Sequence, residues 1–102
     1  MPSRAMVVVG GGASTRFGRD KLIIEIDGRT LLEHTIDAVI DHVDVCVVVC
    51  REEIAPMVLE SHPEVVVAAG GTTRTRSEIS GVSAVDREVD LVGIHDAARP
   101  LV

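Results

Sequence analysis

The chain has 102 residues, of which 46% are hydrophobic and 25% are charged, so its composition is that of one globular domain or part of one. Its formal net charge of −6 and its single aromatic residue, Phe17, argue against binding to DNA or to single-stranded nucleic acid. No apolar run reaches the roughly 18 residues of a membrane-spanning helix, so we expect a soluble, cytoplasmic protein without a membrane partner.

The first predicted strand is the continuous apolar run at residues 5–9, which ends in three valines and stops at three glycines as a strand buried on both faces does. Residues 22–26 allow a short β-ribbon before Asp27 and Gly28. Residues 31–41 place apolar side chains at helical spacing, and Thr30 is the predicted N-cap. The sequence therefore predicts a strand before the glycine-rich loop and, after it, a helix at residues 31–41.

The rest of the chain continues the alternation of strands and helices. It predicts strands at residues 44–50, 65–68 and 91–94, and helices at about 52–60 and 75–85. This order is typical of an α/β fold with a mostly parallel sheet and helices on both faces. A four-stranded parallel sheet made of these strands alone would leave an uncovered edge. We therefore expect residues 1–102 to be the N-terminal part of a single longer domain.

Two cysteines, Cys46 and Cys50, fall in one predicted strand. A rise of about 3.3 Å per residue separates their Cα atoms by roughly 13 Å, which is too far for a disulfide. We predict two buried, reduced thiols.

Three loops that follow predicted strands collect the positive charge of this acidic chain. They span residues 10–21, 70–76 and 95–100, and they hold six of the ten lysines and arginines but two of the sixteen acidic residues. Because ligands of open α/β sheets bind beyond the carboxyl ends of the strands, this pattern predicts a small anionic ligand. The six cations are Arg16, Arg19, Lys21, Arg74, Arg76 and Arg99.

The first loop begins with the glycines at residues 10–12, whose amides are suited to an anion-binding nest or to a plain tight turn. It matches neither a dinucleotide fingerprint nor a Walker A loop. Arg16 and Lys21 favour the first alternative, because two cations beside such a nest can neutralise charge that develops during phosphoryl or nucleotidyl transfer.

The other two loops each allow two interpretations. Residues 70–77 combine glycines and hydroxyls at a predicted helix start, which is either a capped helix with solvated arginines or part of a binding site. Asp96 directly follows a predicted central strand and is either a Mg²⁺ ligand or a turn or N-cap residue. His95 is predicted to face the other side of the sheet and to be structural.

Taken together, the three loops resemble the 2-C-methyl-D-erythritol 4-phosphate cytidylyltransferases in order and spacing. The specific element is His-Asp-Ala-Ala-Arg-Pro at residues 95–100, and the chain corresponds to about the first half of such an enzyme. The resemblance implies a Rossmann-like three-layer sandwich of the nucleotide-diphospho-sugar transferase type. It also implies transfer of CMP from CTP to 2-C-methyl-D-erythritol 4-phosphate, a sugar-alcohol phosphate, with release of pyrophosphate in non-mevalonate isoprenoid synthesis, by a homodimer in the complete protein.

The resemblance also implies roles for individual residues. Arg16 and Lys21 would be catalytic, because they would stabilise the charge at the α-phosphate, and Asp96 would hold Mg²⁺. The substrate-binding residues that it implies are Gly10, Gly11, Gly12, Gly71, Thr72, Ser77, Ala97 and Arg99.

Two departures from the family pattern keep alternatives open. The first loop, with Lys21, is closer to that of the molybdenum-cofactor guanylyltransferases, and Thr72 stands where the family usually has an acidic residue. The alternatives are another nucleotidyltransferase of the same fold, namely a molybdenum-cofactor guanylyltransferase or a pentitol-phosphate cytidylyltransferase, and a non-catalytic nucleotide-binding fragment. The segment 95–100 favours the cytidylyl transfer.

Overall fold

The computed structural model describes residues 3–10, 25–70, 74–85 and 88–96. Within these ranges the chain alternates strands with helices, as the sequence predicts. The elements are β1 (Arg4–Val9), β2 (Glu25–Ile26), β3 (Arg29–Thr30), α1 (Leu31–Ile40), β4 (Val45–Cys50), α2 (Ala55–Ser61), β5 (Val66–Ala69), α3 (Arg74–Ser83) and β6 (Leu91–Asp96).

Four of the strands form one parallel sheet in the order β5-β4-β1-β6. Its register places Val7 of β1 between Val47 of β4 and Ile94 of β6. The two remaining strands, β2 and β3, form a separate antiparallel hairpin. Asp27 and Gly28 turn this hairpin with φ angles of 54° and 83°, the left-handed backbone that a tight two-residue hairpin loop requires. The predicted α/β class is confirmed.

Each face of the sheet is covered by helices, which explains why its strands are apolar on both sides. On one face, Val8 and Val48 pack with Leu32 of α1 and Val58 of α2 in one buried cluster. On the other face, Val7, Val9, Val47 and Val49 form a second cluster, and α3 contacts β1, β4 and β5. The helices and the sheet thus make three layers, as predicted.

Hydrogen bonds and ion pairs hold the β2–β3 hairpin against α1 and α2. His34 Nε2 lies 2.6 Å from the carbonyl oxygen of Ile26, and Arg29 Nε lies 3.0 Å from Asp37 Oδ2. The other oxygen of Asp37 lies 2.7 Å from Nε2 of the buried His62 at the end of α2. This cluster fixes the hairpin that follows the first loop.

Both cysteines lie in β4 and are buried, and neither forms a disulfide. Burial, together with the nearby Glu64 carboxylate, raises the pKa of the Cys46 thiol to about 11. The prediction of two buried thiols is confirmed. No helix among the described ranges is long and apolar enough to cross a membrane.

Helix α1 begins with a reciprocal capping box. The Thr30 hydroxyl accepts a hydrogen bond from the Glu33 amide at 3.1 Å, and the Glu33 carboxylate accepts one from the Thr30 amide at 2.8 Å. Burial acts to raise the pKa of Glu33, but these hydrogen bonds and the charge of Arg29 outweigh it, so the pKa lies below its ordinary value of 4.5. The predicted N-cap at Thr30 is confirmed.

We expect Thr30→Ala to lower the free energy of unfolding by about 1 kcal/mol, because the Glu33 amide at the start of α1 loses its hydrogen-bond acceptor. Since the Glu33 pKa is depressed in the folded chain, its ionised form stabilises the fold above pH 4.5, and this stabilisation is lost as the pH falls through the folded pKa. Urea unfolding of the wild type and Thr30→Ala at pH 7 measures the first effect, and unfolding of the wild type and Glu33→Gln between pH 7 and pH 3 measures the second. Equal midpoints for the wild type and Thr30→Ala at pH 7 would contradict the assignment.

Candidate functional site

The carboxyl ends of four strands meet at one edge of the sheet, because all of them run parallel. Val9, the last residue of β1, pairs with Val49 of β4 on one side and with Asp96 of β6 on the other. Cys50, which ends β4, pairs with Ala69, which ends β5. The three loops singled out in the sequence therefore leave the sheet at the same edge.

The connections of the sheet change direction between β1 and β6. From β1 the chain passes through α1 to β4, and then through α2 to β5, on one side of β1. From β5 it returns through α3, on the opposite face, to β6 on the other side of β1. The order of the strands thus reverses at β1, and open α/β sheets bind ligands at the carboxyl edge beside such a reversal. We call the carboxyl ends of β1 and β6 the crevice.

Gly10 lies at this crevice, directly after β1. Its amide donates a hydrogen bond of 2.8 Å to the Val49 carbonyl, and the residue is buried. That amide therefore extends the ladder between β1 and β4 and fixes where the glycine run leaves the sheet. Because this amide is already bonded to Val49, a ligand could contact Gly10 through its Cα or its carbonyl. The predicted role of Gly10 in substrate binding stays a prediction.

Asp96 lies on the other side of the crevice, with its backbone beside Val9. The structure corrects the sequence prediction here in two ways. Strand β6 runs to Asp96 itself, two residues beyond the predicted end, because the pairing with β1 continues through His95 and Asp96. In addition, β6 is the edge strand, not a central strand, of the sheet that the described residues form. The predicted position of Asp96 at the carboxyl edge is confirmed.

Helix α3 begins at the same edge, because it follows β5. Ser77, in its first turn, is 3% exposed, and its neighbour Arg76 is exposed. The hydroxyl of Ser80, one turn further on, donates a hydrogen bond of 2.7 Å to the carbonyl of Ala69. This bond ties α3 to the end of β5, so the helix presents its start, with Ser77, to the carboxyl edge of the sheet.

The remaining predicted site residues lie outside the described ranges, and their roles stay predictions. They are Gly11, Gly12, Arg16, Lys21, Gly71, Thr72, Ala97 and Arg99. Of Arg74 and Asp96, the structure describes the backbone. The described ranges hold no group of three or more histidine, cysteine, aspartate or glutamate side chains suited to a metal ion.

Gly81 positions α3 and was missed by the sequence analysis. It is buried in the helix interior. A Cβ atom there would overlap Cγ1 of Val7 and would lie 2.7 Å from Cγ2 of Val49, so the helix backbone rests directly on β1 and β4. A glycine inside a helix costs about 1 kcal/mol relative to alanine. A glycine in the middle of a predicted helix was therefore the sequence signal that could have identified this close packing.

Replacing Gly81 with alanine tests this close approach, because we expect the change in the free energy of unfolding to have the opposite sign to that in most helices. In most helices the change stabilises the protein by about 1 kcal/mol. Here we expect it to lower the free energy of unfolding by roughly 1–3 kcal/mol, since α3 must move off the sheet. Denaturant unfolding measures it, with the exposed Ser83→Ala on the same helix as the control, which should change stability by less than about 0.5 kcal/mol. A stabilised Gly81→Ala variant would show that α3 does not touch the sheet there.

Comparisons of this chain with a family model, with curated sequences and with solved structures point to the same family. The family model IspD, 2-C-methyl-D-erythritol 4-phosphate cytidylyltransferase, matches residues 4–102. The 2-C-methyl-D-erythritol 4-phosphate cytidylyltransferase of Vibrio vulnificus is 37% identical over 112 residues, which cover 100% of this chain and 47% of the relative. That of Photobacterium profundum is 36% identical over 94% of this chain and 44% of its own length.

A solved structure shows the same fold. The 4-diphosphocytidyl-2C-methyl-D-erythritol synthase from Anaerococcus prevotii superimposes with a TM-score of 0.80 at 26% identity. The superposition covers 98% of this chain and 45% of that one. The chain thus spans about half the length of the curated relatives it matches.

Proposed function

This chain belongs to the 2-C-methyl-D-erythritol 4-phosphate cytidylyltransferase family, and we propose that it binds CTP and takes part in the transfer of CMP to 2-C-methyl-D-erythritol 4-phosphate. Pyrophosphate is the second product. The reaction is a step of non-mevalonate isoprenoid synthesis, and the homodimer and the cytoplasmic location that the resemblance implies are part of the same proposal.

The observation that carries the proposal is the convergence of the sequence motifs on one crevice. Gly10 directly follows β1 and Asp96 ends the neighbouring strand β6, beside the point where the order of the strands reverses. The buried Ser77 reaches the same edge from α3. Residues from three separate parts of the chain are thus available to one nucleotide.

The chemistry of the transfer needs no nucleophile from the protein. A phosphate oxygen of the sugar-alcohol phosphate attacks the α-phosphorus of CTP in line, a new P–O bond forms, and the bond to the leaving pyrophosphate breaks. The protein contributes orientation and charge stabilisation. In this proposal the Arg16 guanidinium and the Lys21 ammonium neutralise the charge that grows at the α-phosphate.

A magnesium ion fits the residues at this edge. Mg²⁺ is usually held by one or two carboxylates together with substrate phosphates, and Asp96 supplies a carboxylate residue beside the start of the glycine loop. When bound there, the ion would offset the repulsion between the phosphates of CTP. Asp96 is therefore the proposed metal ligand.

The proposed site for the base and ribose comprises the glycine loops, Ser77 and the residues after Asp96. Backbone groups of Gly11, Gly12 and Gly71 can approach a ligand closely because no Cβ intervenes. The similarity of the first loop to guanylyltransferases makes GTP the competing nucleotide, whereas the His-Asp-Ala-Ala-Arg-Pro segment at residues 95–100 supports CTP.

The reaction itself tests the proposal. We expect the protein, with Mg²⁺, CTP and 2-C-methyl-D-erythritol 4-phosphate, to release pyrophosphate and form a diphosphocytidyl product, identified by mass spectrometry. Reactions without the sugar-alcohol phosphate, or with GTP in place of CTP, are the controls. Product formed with GTP and not with CTP would move the chain to the guanylyl branch of the fold.

A further inference from the structure

Helix α3 rests on the sheet through the backbone of Gly81. The atoms that an added Cβ would meet first belong to Val7 of β1 and Val49 of β4. Both valines are fully buried, so neither side chain can move aside into solvent. The absence of a side chain at Gly81 therefore sets how deeply α3 lies on these two strands.

Ser80 holds α3 in a second direction. Its hydroxyl donates a hydrogen bond of 2.7 Å to the carbonyl of Ala69, the last residue of β5. A shift of the helix along its axis would break this bond, whereas the packing of Gly81 fixes the distance of the helix from the sheet. The two neighbouring residues thus determine both the depth and the register of α3.

Ser77 lies on the same face of α3 as Gly81, because residues four apart in a helix are neighbours on its surface, and it is 3% exposed. Four helical residues rise about 6 Å, close to the rise of roughly 6.6 Å over the two strand residues from Val7 to Val9. Gly81 lies against Val7, and α3 begins at the carboxyl edge. Ser77 is therefore about level with Val9, the last residue of β1, where the glycine run begins.

We propose that Gly81 and Ser80 are positioning residues, which hold Ser77 at the end of β1 in the place where it binds the nucleotide. Neither residue needs to touch the ligand in this role. The proposal rests on the proposed function, in which Ser77 belongs to the site for the base and ribose. The affinity for CTP then depends on the fit of Gly81 against the sheet, and not on the stability of the fold alone.

Matched serine variants on α3 give the first test. We expect Ser80→Ala to weaken CTP binding about fivefold in calorimetry, because the helix loses its hydrogen bond to Ala69. Ser80→Thr, which keeps a hydroxyl, should bind within about twofold of the wild type. The control Ser83→Ala removes an exposed hydroxyl from the same helix and should bind like the wild type. Equal affinity of Ser80→Ala and the wild type would overturn the role of Ser80.

A compensating pair of substitutions tests Gly81. We expect Gly81→Ala to weaken CTP binding about tenfold or more, because a displaced α3 carries Ser77 out of place. Adding Val7→Ala removes the methyl group that overlaps the new Cβ atom, and should return the affinity to within about threefold of the wild type. Adding Val47→Ala instead removes methyl groups from the same cluster that are not among the atoms nearest to the new Cβ. If Val7→Ala restores no more affinity than Val47→Ala, the role of Gly81 is wrong.

Instability alone would give a different pattern. Both valine substitutions remove buried methyl groups and lower the unfolding midpoint, so a loss of affinity caused by instability would grow in both double variants. In the active protein, a misplaced Ser77 should raise KM for CTP and change kcat much less, because binding of the ground state and the transition state is weakened equally. A lower kcat at the wild-type KM in Gly81→Ala would contradict the proposal.

The position of Ser77 can also be followed without nucleotide, by the NMR signal of its amide. We expect Gly81→Ala to move this signal and the added Val7→Ala to move it back, whereas a purely local effect of the new alanine would not reverse. A signal that does not return would overturn the proposal. If it returns but the wild type binds no CTP, the placement of Ser77 by Gly81 stands and the proposed function is refuted.

Discussion

Replacing either Arg16 or Lys21 with alanine is expected to lower kcat for CMP transfer by about 10²-fold or more. A group that stabilises charge developing in the transition state is worth roughly 3 kcal/mol, and these two cations lie in the loop that leaves the sheet after Gly10. The affinity for CTP should change much less, because the charge in question grows during the attack on the α-phosphate.

Steady-state release of pyrophosphate by the active protein measures this effect, and calorimetric titration with CTP measures the affinity. The matched control is Arg4→Ala, which removes an exposed arginine from the start of β1, at the opposite edge of the sheet. It should leave both quantities unchanged. A kcat within a few-fold of the wild type for both loop variants would show that neither cation stabilises the transition state.

Replacing Asp96 with alanine is expected to abolish the Mg²⁺ dependence of CTP binding while the fold stays intact. Asp96 is the last residue of β6, its backbone pairs with Val9, and the proposed ion would lie between this residue and the phosphates. The alternative role as a helix N-cap makes a different prediction, namely a loss of about 1 kcal/mol in stability with metal-dependent binding unchanged.

Titration of the variant with CTP, with and without Mg²⁺, decides between these roles. Glu88→Ala is the control, because Glu88 is an exposed carboxylate that precedes β6, at the other end of the strand from Asp96. It should bind CTP with the wild-type dependence on Mg²⁺. If Asp96→Ala also keeps that dependence, Asp96 is not the metal ligand.

The α/β architecture could be predicted from the sequence because the determining interactions are local or repetitive. Strands β1 and β4 are apolar runs rich in valine over most of their length, which is what burial on both faces selects. Helix α1 carries its own start signal in Thr30 and Glu33, whose capping box is formed by residues three positions apart. The carboxyl edge followed from the parallel arrangement, which places residues that follow different strands side by side.

The features that the sequence did not reveal depend on contacts between distant parts of the chain. Pairing with β1 extends β6 through His95 and Asp96, and nothing in those two residues favours a strand. Gly81 is required by the close approach of α3 to Val7 and Val49, which are far from it in sequence. The amide of Gly10 bonds to Val49 and so is not part of an anion nest.

Competition among CTP, GTP, ATP and UTP for the protein, measured by calorimetry with and without Mg²⁺, tests the central claim most directly. A cytidylyltransferase site at the crevice between β1 and β6 predicts that CTP binds most tightly and that its binding strengthens with Mg²⁺. Preference for GTP, or the absence of nucleotide binding under either condition, would contradict it.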